Sequence, residues 1–324
     1  MRKAIQFGVW VALAWTAWAG PVDFGKQELS RAVAARKLLP AQARVLTEVT
    51  ADAAESFRIL PGQVSGGDIR GLMYGLIEAA EQVRDHGLLA PLRGSPAIRI
   101  RGVRLQVQAS DLQADWYNSS AWWQEFCATL ARDHFNRLNV TYGQGAEVAG
   151  RNLEMLRVIS QTATDYALDF TLGIGAEMKD DGSLKRLLAA CPTVRGVQVS
   201  SYRGWLMRTV QEAGRRVILE CPESDLTREL ARETSVPLRA TKKYSGEAAL
   251  GPNDVVLTLE ATDDPDSVRK TVVDIYESGY AGFEIDAPAE PAGEGSRLFY
   301  VLWGRLGYNP KTPDTVWSKE LKSR

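Results

Sequence analysis

Apolar and polar positions follow two different rhythms along the chain. Over residues 23–37, Leu29, Ala32 and Val33 recur at helical spacing and predict a helix. Strands are predicted at residues 43–49 and 56–60, with a Pro61-Gly62-Gln63 turn and a short third strand beginning at Val64. A longer helix over residues 69–85 has Leu72, Leu76, Ala79, Ala80 and Val83 on one face and Gly87 just past its end. This small α/β unit ends near Pro96. From Ile98 onward, strand and helix patterns alternate. Strands are predicted at residues 98–107, 137–142, 169–175, 196–200, 216–220, 237–241, 255–259 and 282–286. Helices are predicted at 122–132, 153–166, 184–190, 206–213, 226–232, 266–278 and 299–306, with a poorly helical link before Val255.

Such alternation demands a parallel sheet, because each crossover helix returns the chain to the same end of the sheet. Eight repeats favour a closed (β/α)8 barrel of the TIM type, which usually takes about 250 residues. The stretch here is shorter, so the loops must be lean. The alternative is an open doubly wound sheet, but no GxGxxG turn follows the first strand. The expected organisation is a signal peptide at residues 1–19, a small α/β domain at 20–96 and the barrel at 97–324.

The signal peptide rests on Arg2 and Lys3, the apolar run from Ala4 to Ala14, and the small-x-small pattern Ala17-Trp18-Ala19. An uncleaved anchor would need about 20 apolar residues. The expected location is therefore periplasmic or extracellular, with no membrane contact once the signal is removed. The 39 basic and 40 acidic residues leave a formal charge of -1, which implies no nucleic-acid face. Three cysteines, Cys127, Cys191 and Cys221, read as small buried hydrophobes. There is no CxxC, and His86 and His134 have no obvious partner ligands, so no zinc site is expected.

In a (β/α)8 barrel the chemistry sits at the C-terminal ends of the strands. Carboxylates are abundant there: Glu147 after the second strand, Glu177, Asp180 and Asp181 after the third, Glu220 and Glu223 at the fifth, Glu260 at the seventh, and Glu284 and Asp286 on the eighth. Asp263, Asp264 and Asp266 precede a helix and read as its caps. Glycosidic cleavage usually needs two carboxyl groups, one to protonate the leaving oxygen and one opposite it as base or nucleophile. Glu220, Glu260 and Asp286 stand at strand ends and are the first candidates, with Glu177 in reserve. Tyr142, Lys243 and Tyr244 would position a sugar, with Lys242 or Lys243 able to meet a substrate carboxylate. Trp116 or Trp123 would stack on the sugar; for Trp122 and Trp123 helix packing is the competing reading.

Several segments resemble known proteins. Ser65-Gly66-Gly67-Asp68-Ile69-Arg70-Gly71-Leu72-Met73-Tyr74-Gly75-Leu76 resembles a small accessory domain that precedes the barrel in bacterial α-glucuronidases and β-hexosaminidases. Arg99-Ile100-Arg101-Gly102-Val103 is similar to their first barrel strand, and Trp122 together with Leu130 to Leu138 to the helix and strand that follow. Leu302 to Pro310 resembles a closing motif of α-glucuronidase-like proteins. The resemblance implies an exported glycoside hydrolase-like protein that acts on carbohydrate without metal or organic cofactor. It departs from the pattern in one place. Relatives commonly carry an acid-catalyst glutamate after the fourth strand, where this chain reads Gln198-Val199-Ser200-Ser201-Tyr202-Arg203. A catalytically silent carbohydrate-binding protein on the same scaffold is therefore the alternative. An enzyme of phosphorylated metabolites is disfavoured, because Ala287-Pro288-Ala289-Glu290-Pro291 replaces the glycine-rich turn expected near the last strand.

Overall fold

A computed structural model describes residues 20–38, 45–146, 148–175, 181–213, 216–224, 227, 229, 237–245, 254–288, 290–291 and 293–318. The proposed signal peptide lies outside these residues, as do Glu147, Glu177, Asp180 and most of the helix expected at 226–232.

Helix α1 (Pro21–Ala35) packs Phe24, Leu29 and Ala32 into the core of the small domain. Strands β1 (Leu46–Val49), β2 (Phe57–Leu60) and β3 (Gln63–Gly66) lead into helix α2 (Ile69–His86). A three-residue strand, β4 (Leu92–Gly94), completes a sheet of order β1-β3-β2-β4. Only β1 and β3 run parallel. Too short to show a period, β4 left no signal in the sequence. Asp68 caps α2 by accepting the Gly71 N–H at 2.6 Å, and Gly87 ends it in the left-handed conformation at φ 73°. The glycines of the Ser65–Leu76 motif allow close approach: a Cβ on Gly71 would lie 2.2 Å from the Ser56 carbonyl.

Five residues separate the end of β4 from the start of the barrel. Its strands are β5 (Ile100–Val107), β6 (Arg137–Tyr142), β7 (Asp169–Ile174), β8 (Val194–Val199), β9 (Ile218–Pro222), β10 (Leu238–Lys243), β11 (Val255–Leu259) and β12 (Gly282–Asp286). All eight neighbouring pairs are parallel, and β12 closes onto β5. The intervening helices are α3 (Ser120–Arg132), α4 (Arg151–Asp165), α5 (Asp181–Ala190), α6 (Gly204–Glu212) and α7 (Pro265–Glu277); α8 (Arg297–Tyr308) follows the last strand. This is a (β/α)8 TIM barrel behind a small four-stranded domain. Asp264 is the cap of α7, accepting from Ser267 N at 2.9 Å.

One buried carboxylate joins the two units. Glu55 accepts from Arg101 Nη2, from Arg70 Nη1 at 2.8 Å and from Asn136 Nδ2 at 2.9 Å. Arg70 continues to the Ala167 carbonyl and to Asp169, while the Tyr308 hydroxyl donates to the Glu55 carbonyl at 2.7 Å. Tyr74 donates to the Phe135 carbonyl at 2.9 Å. Burial opposes the Glu55 charge, but the two guanidinium groups more than offset it and hold its pKa at about 2. A fall from 4.5 to about 2 corresponds to about 3 kcal/mol of stability. That contribution is complete above the unfolded-state value of 4.5 and fades as pH falls towards 2. Glu55→Gln is therefore expected to lower the unfolding free energy by about 3 kcal/mol at pH 7, with the gap to the parent narrowing below pH 4. Urea titrations of both proteins at pH 7 and pH 3 measure this; an equal gap at both values would contradict it.

Candidate functional site at the barrel mouth

Strand parity decides which side chains face inward. The in-register set from β5 through β12 is Gly102, Arg137, Asn139, Gln198, Glu220, Arg239 and Glu284, so the barrel interior is polar where Val, Ile and Leu usually fill it. Arg137 reaches across the barrel to both carboxylates. Its Nη1 donates to Glu220 at 2.7 Å, its Nη2 donates to the other Glu220 oxygen, and Nη2 lies 3.1 Å from Glu284. Arg239 donates to Glu220 at 2.8 Å. Asn139 donates to Gln198 at 2.8 Å and to Glu284 at 3.0 Å, and Gln198 donates to Glu284 at 3.0 Å. Burial pushes the Glu220 pKa up, but Arg137 and Arg239 outweigh it, and the group is held below the usual carboxylate range.

This network floors the mouth. Above it lies a central pocket of about 320 Å³ with Arg104, Gln106, Thr141, Lys242, Lys243 and Thr258 on its walls. A wider cleft of about 810 Å³ shares Arg104 and Gln106 with it and continues over the loops after β5 and β12. Trp116, Trp122, Asp111, Asp286 and Glu290 line this cleft. Both oxygens of Asp286 accept from Arg104, at 2.6 and 2.9 Å, across the β12–β5 seam. Burial works against the Arg104 charge, but Asp286 and the nearby Glu284 raise its pKa on balance.

The candidate residues divide accordingly. Asp286, Lys243 and Trp116 line the mouth. Glu260 stands at the rim, largely exposed, 2.7 Å from Lys243. The lysine holds Glu260 below the usual range, while Asp286 pushes weakly the other way. Glu260 is thus a carboxylate at neutral pH, suited to base or nucleophile and unsuited to acid.

Four expectations need correction. Glu220 is not at a strand end: β9 runs on to Pro222, and the side chain is fully buried in the barrel centre. Tyr142 faces outward, buried against the helices, where its hydroxyl lies 3.1 Å from that of Tyr117. Tyr244 also turns outward and donates to Asp274 of α7 at 3.3 Å. Trp123 is fully buried, its indole N–H bonded to the Tyr117 carbonyl at 2.9 Å. Its neighbour Trp122, one helical step round α3, is the one that reaches the cleft, with its ring 4.9 Å from that of Trp116. Residues missed from sequence are Arg104, Gln106 and Asp111; inward parity along β5 would have singled out the first two. The three cysteines form no disulfide and are buried, as small apolar side chains would be. Among the described residues no cluster of His, Cys, Asp and Glu has metal-site geometry.

No protein-family model and no curated protein matches the sequence. Solved structures do match. A GH138 enzyme targeting pectin rhamnogalacturonan II superposes with a TM-score of 0.75 at 13% identity, over 94% of this chain and 52% of its own. The chain therefore spans about half the length of that enzyme, and the likeness covers the small domain as well as the barrel. An O-GlcNAc hydrolase mutant of Thermobaculum terrenum superposes with a TM-score of 0.49 at 10% identity, over 70% of this chain and 63% of its own. At these identities the likeness shows the fold.

The buried and the rim carboxylates should respond differently to neutralisation. Glu220→Gln leaves Arg239 without its counter-charge and Arg137 with Glu284 alone, and is expected to cost about 3–5 kcal/mol. Asp286→Asn and Glu260→Gln break pairs that are open to water and should each cost far less. Chemical denaturation of the three variants ranks them, and a Glu220→Gln protein as stable as Glu260→Gln would refute the assignment of Glu220 to the structural core.

Proposed function

We propose that this chain is a glycoside hydrolase-like protein whose barrel mouth takes an oligosaccharide. The observation that carries the reading is the cleft over β5 and β12. It sets the indole surfaces of Trp116 and Trp122 beside Arg104, Asp111 and Asp286, and sugar rings need that combination of apolar face and directed polar groups. Arg104 and Lys243 around the central pocket favour a sugar that bears a carboxylate. The GH138 enzyme of similar fold targets pectin, so pectic fragments belong among the first compounds to try. A leader at residues 1–19 would export the protein to where polysaccharide is found. In hydrolysis, Glu260 and Asp286 would act on the base or nucleophile side. Glu177, on the segment after β7, remains the candidate acid.

A second reading, binding without cleavage, is favoured by the end of β8. Gln198 and Ser200 occupy the wall where a general acid would stand, and Gln198 is tied to Glu284. Incubation of the purified protein with glucuronic-acid-substituted xylan fragments, pectic oligogalacturonides and amino-sugar oligomers, followed by mass spectrometry, separates the two. Cleavage that falls at least about a hundredfold in Asp286→Asn or Glu260→Gln supports the hydrolase. Binding that weakens about tenfold in Trp116→Ala, with no new masses, supports the silent scaffold. Neither cleavage nor binding of any compound would reject both.

A further inference from the structure

The opposite end of the barrel carries a second concavity, of about 180 Å³, at the N-terminal ends of the strands and against the small domain. Five arginines from five separate places in the chain converge on it: Arg70 of α2, Arg99 just before β5, Arg137 of β6, Arg195 of β8 and Arg239 of β10. Three carboxylates share the wall, and each is already engaged. Glu55 is held by Arg70 and Arg101, Asp169 by Arg70 at 3.0 Å, and Glu220 by Arg137 and Arg239. Guanidinium groups thus outnumber carboxylates five to three on the lining.

Ion pairing explains why Arg70 and Arg137 are there. Arg99 lies 3.6 Å from Asp254, outside the lining, and ion pairing leaves Arg195 and most of Arg239 unexplained. Among the described residues Arg195 has no hydrogen bond or ion pair, and it is exposed at the cavity edge. Arg239 uses one of its five N–H groups, on Nη1, to reach Glu220, and the rest have no acceptor there. Arg137 Nε is buried with no partner. Donors left over at the junction of two domains are what a small anion would satisfy.

We propose that this cavity binds a small, doubly charged oxyanion of the phosphate or sulfate type, held chiefly by Arg195 and Arg239. The volume is enough for one tetrahedral anion with its water. The site is independent of the mouth, because the buried Arg137–Glu220–Gln198–Glu284 network lies between them.

Inorganic phosphate and sulfate are the probes, titrated into the full-length mature protein by calorimetry and thermal denaturation, with sodium chloride at matched ionic strength as the reference. Saturable binding of one anion per chain and a rise in melting temperature above the chloride reference are expected. Arg195→Gln, at an exposed position with no partner to lose, should weaken binding about tenfold without changing the melting temperature of the anion-free protein. Arg239→Lys keeps the Glu220 ion pair but loses the planar fork, and should weaken it as well. Lys243→Gln, at the mouth, should leave it unchanged. No binding beyond chloride, or binding unaffected by Arg195→Gln, would overturn the proposal. Loss of binding in Lys243→Gln alone would place the anion at the mouth and overturn it equally. Either result leaves the oligosaccharide reading of the mouth intact.

Discussion

Arg137 turns a guanidinium into the centre of the barrel, and every charged or amide side chain in there is arranged around it. A lone buried cation would cost several kcal/mol, so two carboxylates have to follow it inside. Glu220 and Glu284 are those carboxylates. Their remaining lone pairs then need donors, which Asn139, Gln198 and Arg239 supply. The result is a core that is specific in geometry and intolerant of losing any one member. It is also the partition between the two ends of the molecule: the mouth rests on its Gln198 side and the lower cavity on its Arg137 and Glu220 side.

The segments that carry the family resemblance meet far from the mouth. Arg70 and Tyr74 of the accessory motif, Arg101 of the first barrel strand, His134 to Asn136 at the start of the second, and Tyr308 of the closing helix all converge around Glu55. Tyr74 and Tyr308 pack on His134 at ring separations of 4.4 and 4.5 Å and lie 5.6 Å from each other, and the Arg101 guanidinium lies 5.3 Å from the Tyr308 ring centre. Burial keeps that imidazole neutral, with a pKa near about 3. These motifs therefore encode how a small domain docks beneath a barrel. They carry architecture reliably and say little about the reaction, which is why the likeness predicted the fold and left the site open.

The rhythm of the chain was legible because it follows from burial alone. Each barrel strand must be apolar towards the helices and each helix apolar towards the sheet, so alternation and number could be read off, including the α7 cap at Asp264. Depth and direction were less legible. Moving the end of β9 from residue 220 to 222 changes Glu220 from a rim acid into the counter-charge of Arg137. Tyr142 and Tyr244 stand beside inward residues but point the other way, because successive side chains in a strand alternate. Trp122 and Trp123 differ by one residue, hence by about 100° round the helix, and that step separates a cleft wall from the core. The buried polar interior could not be recognised as such, since each of its members is read in isolation as a surface residue.

The seam where the barrel closes is where structure and site coincide. Arg104 and Asp286 are register partners on the first and last strands, so their bidentate pair bridges the one junction that joins residues far apart in sequence. Asp286 is nevertheless 40% exposed and Arg104 21%, and a pair so open to water contributes little to stability. The β12–β5 backbone ladder holds the seam without it. The pair's more consequential effect is on position. It keeps an ordered carboxylate and an ordered guanidinium on one wall of a cleft whose other features, Trp116 and Trp122, come from the loop after β5 and the helix behind it. The barrel thus presents a prearranged charge pair opposite an aromatic surface, on loops free to vary without disturbing the polar core beneath.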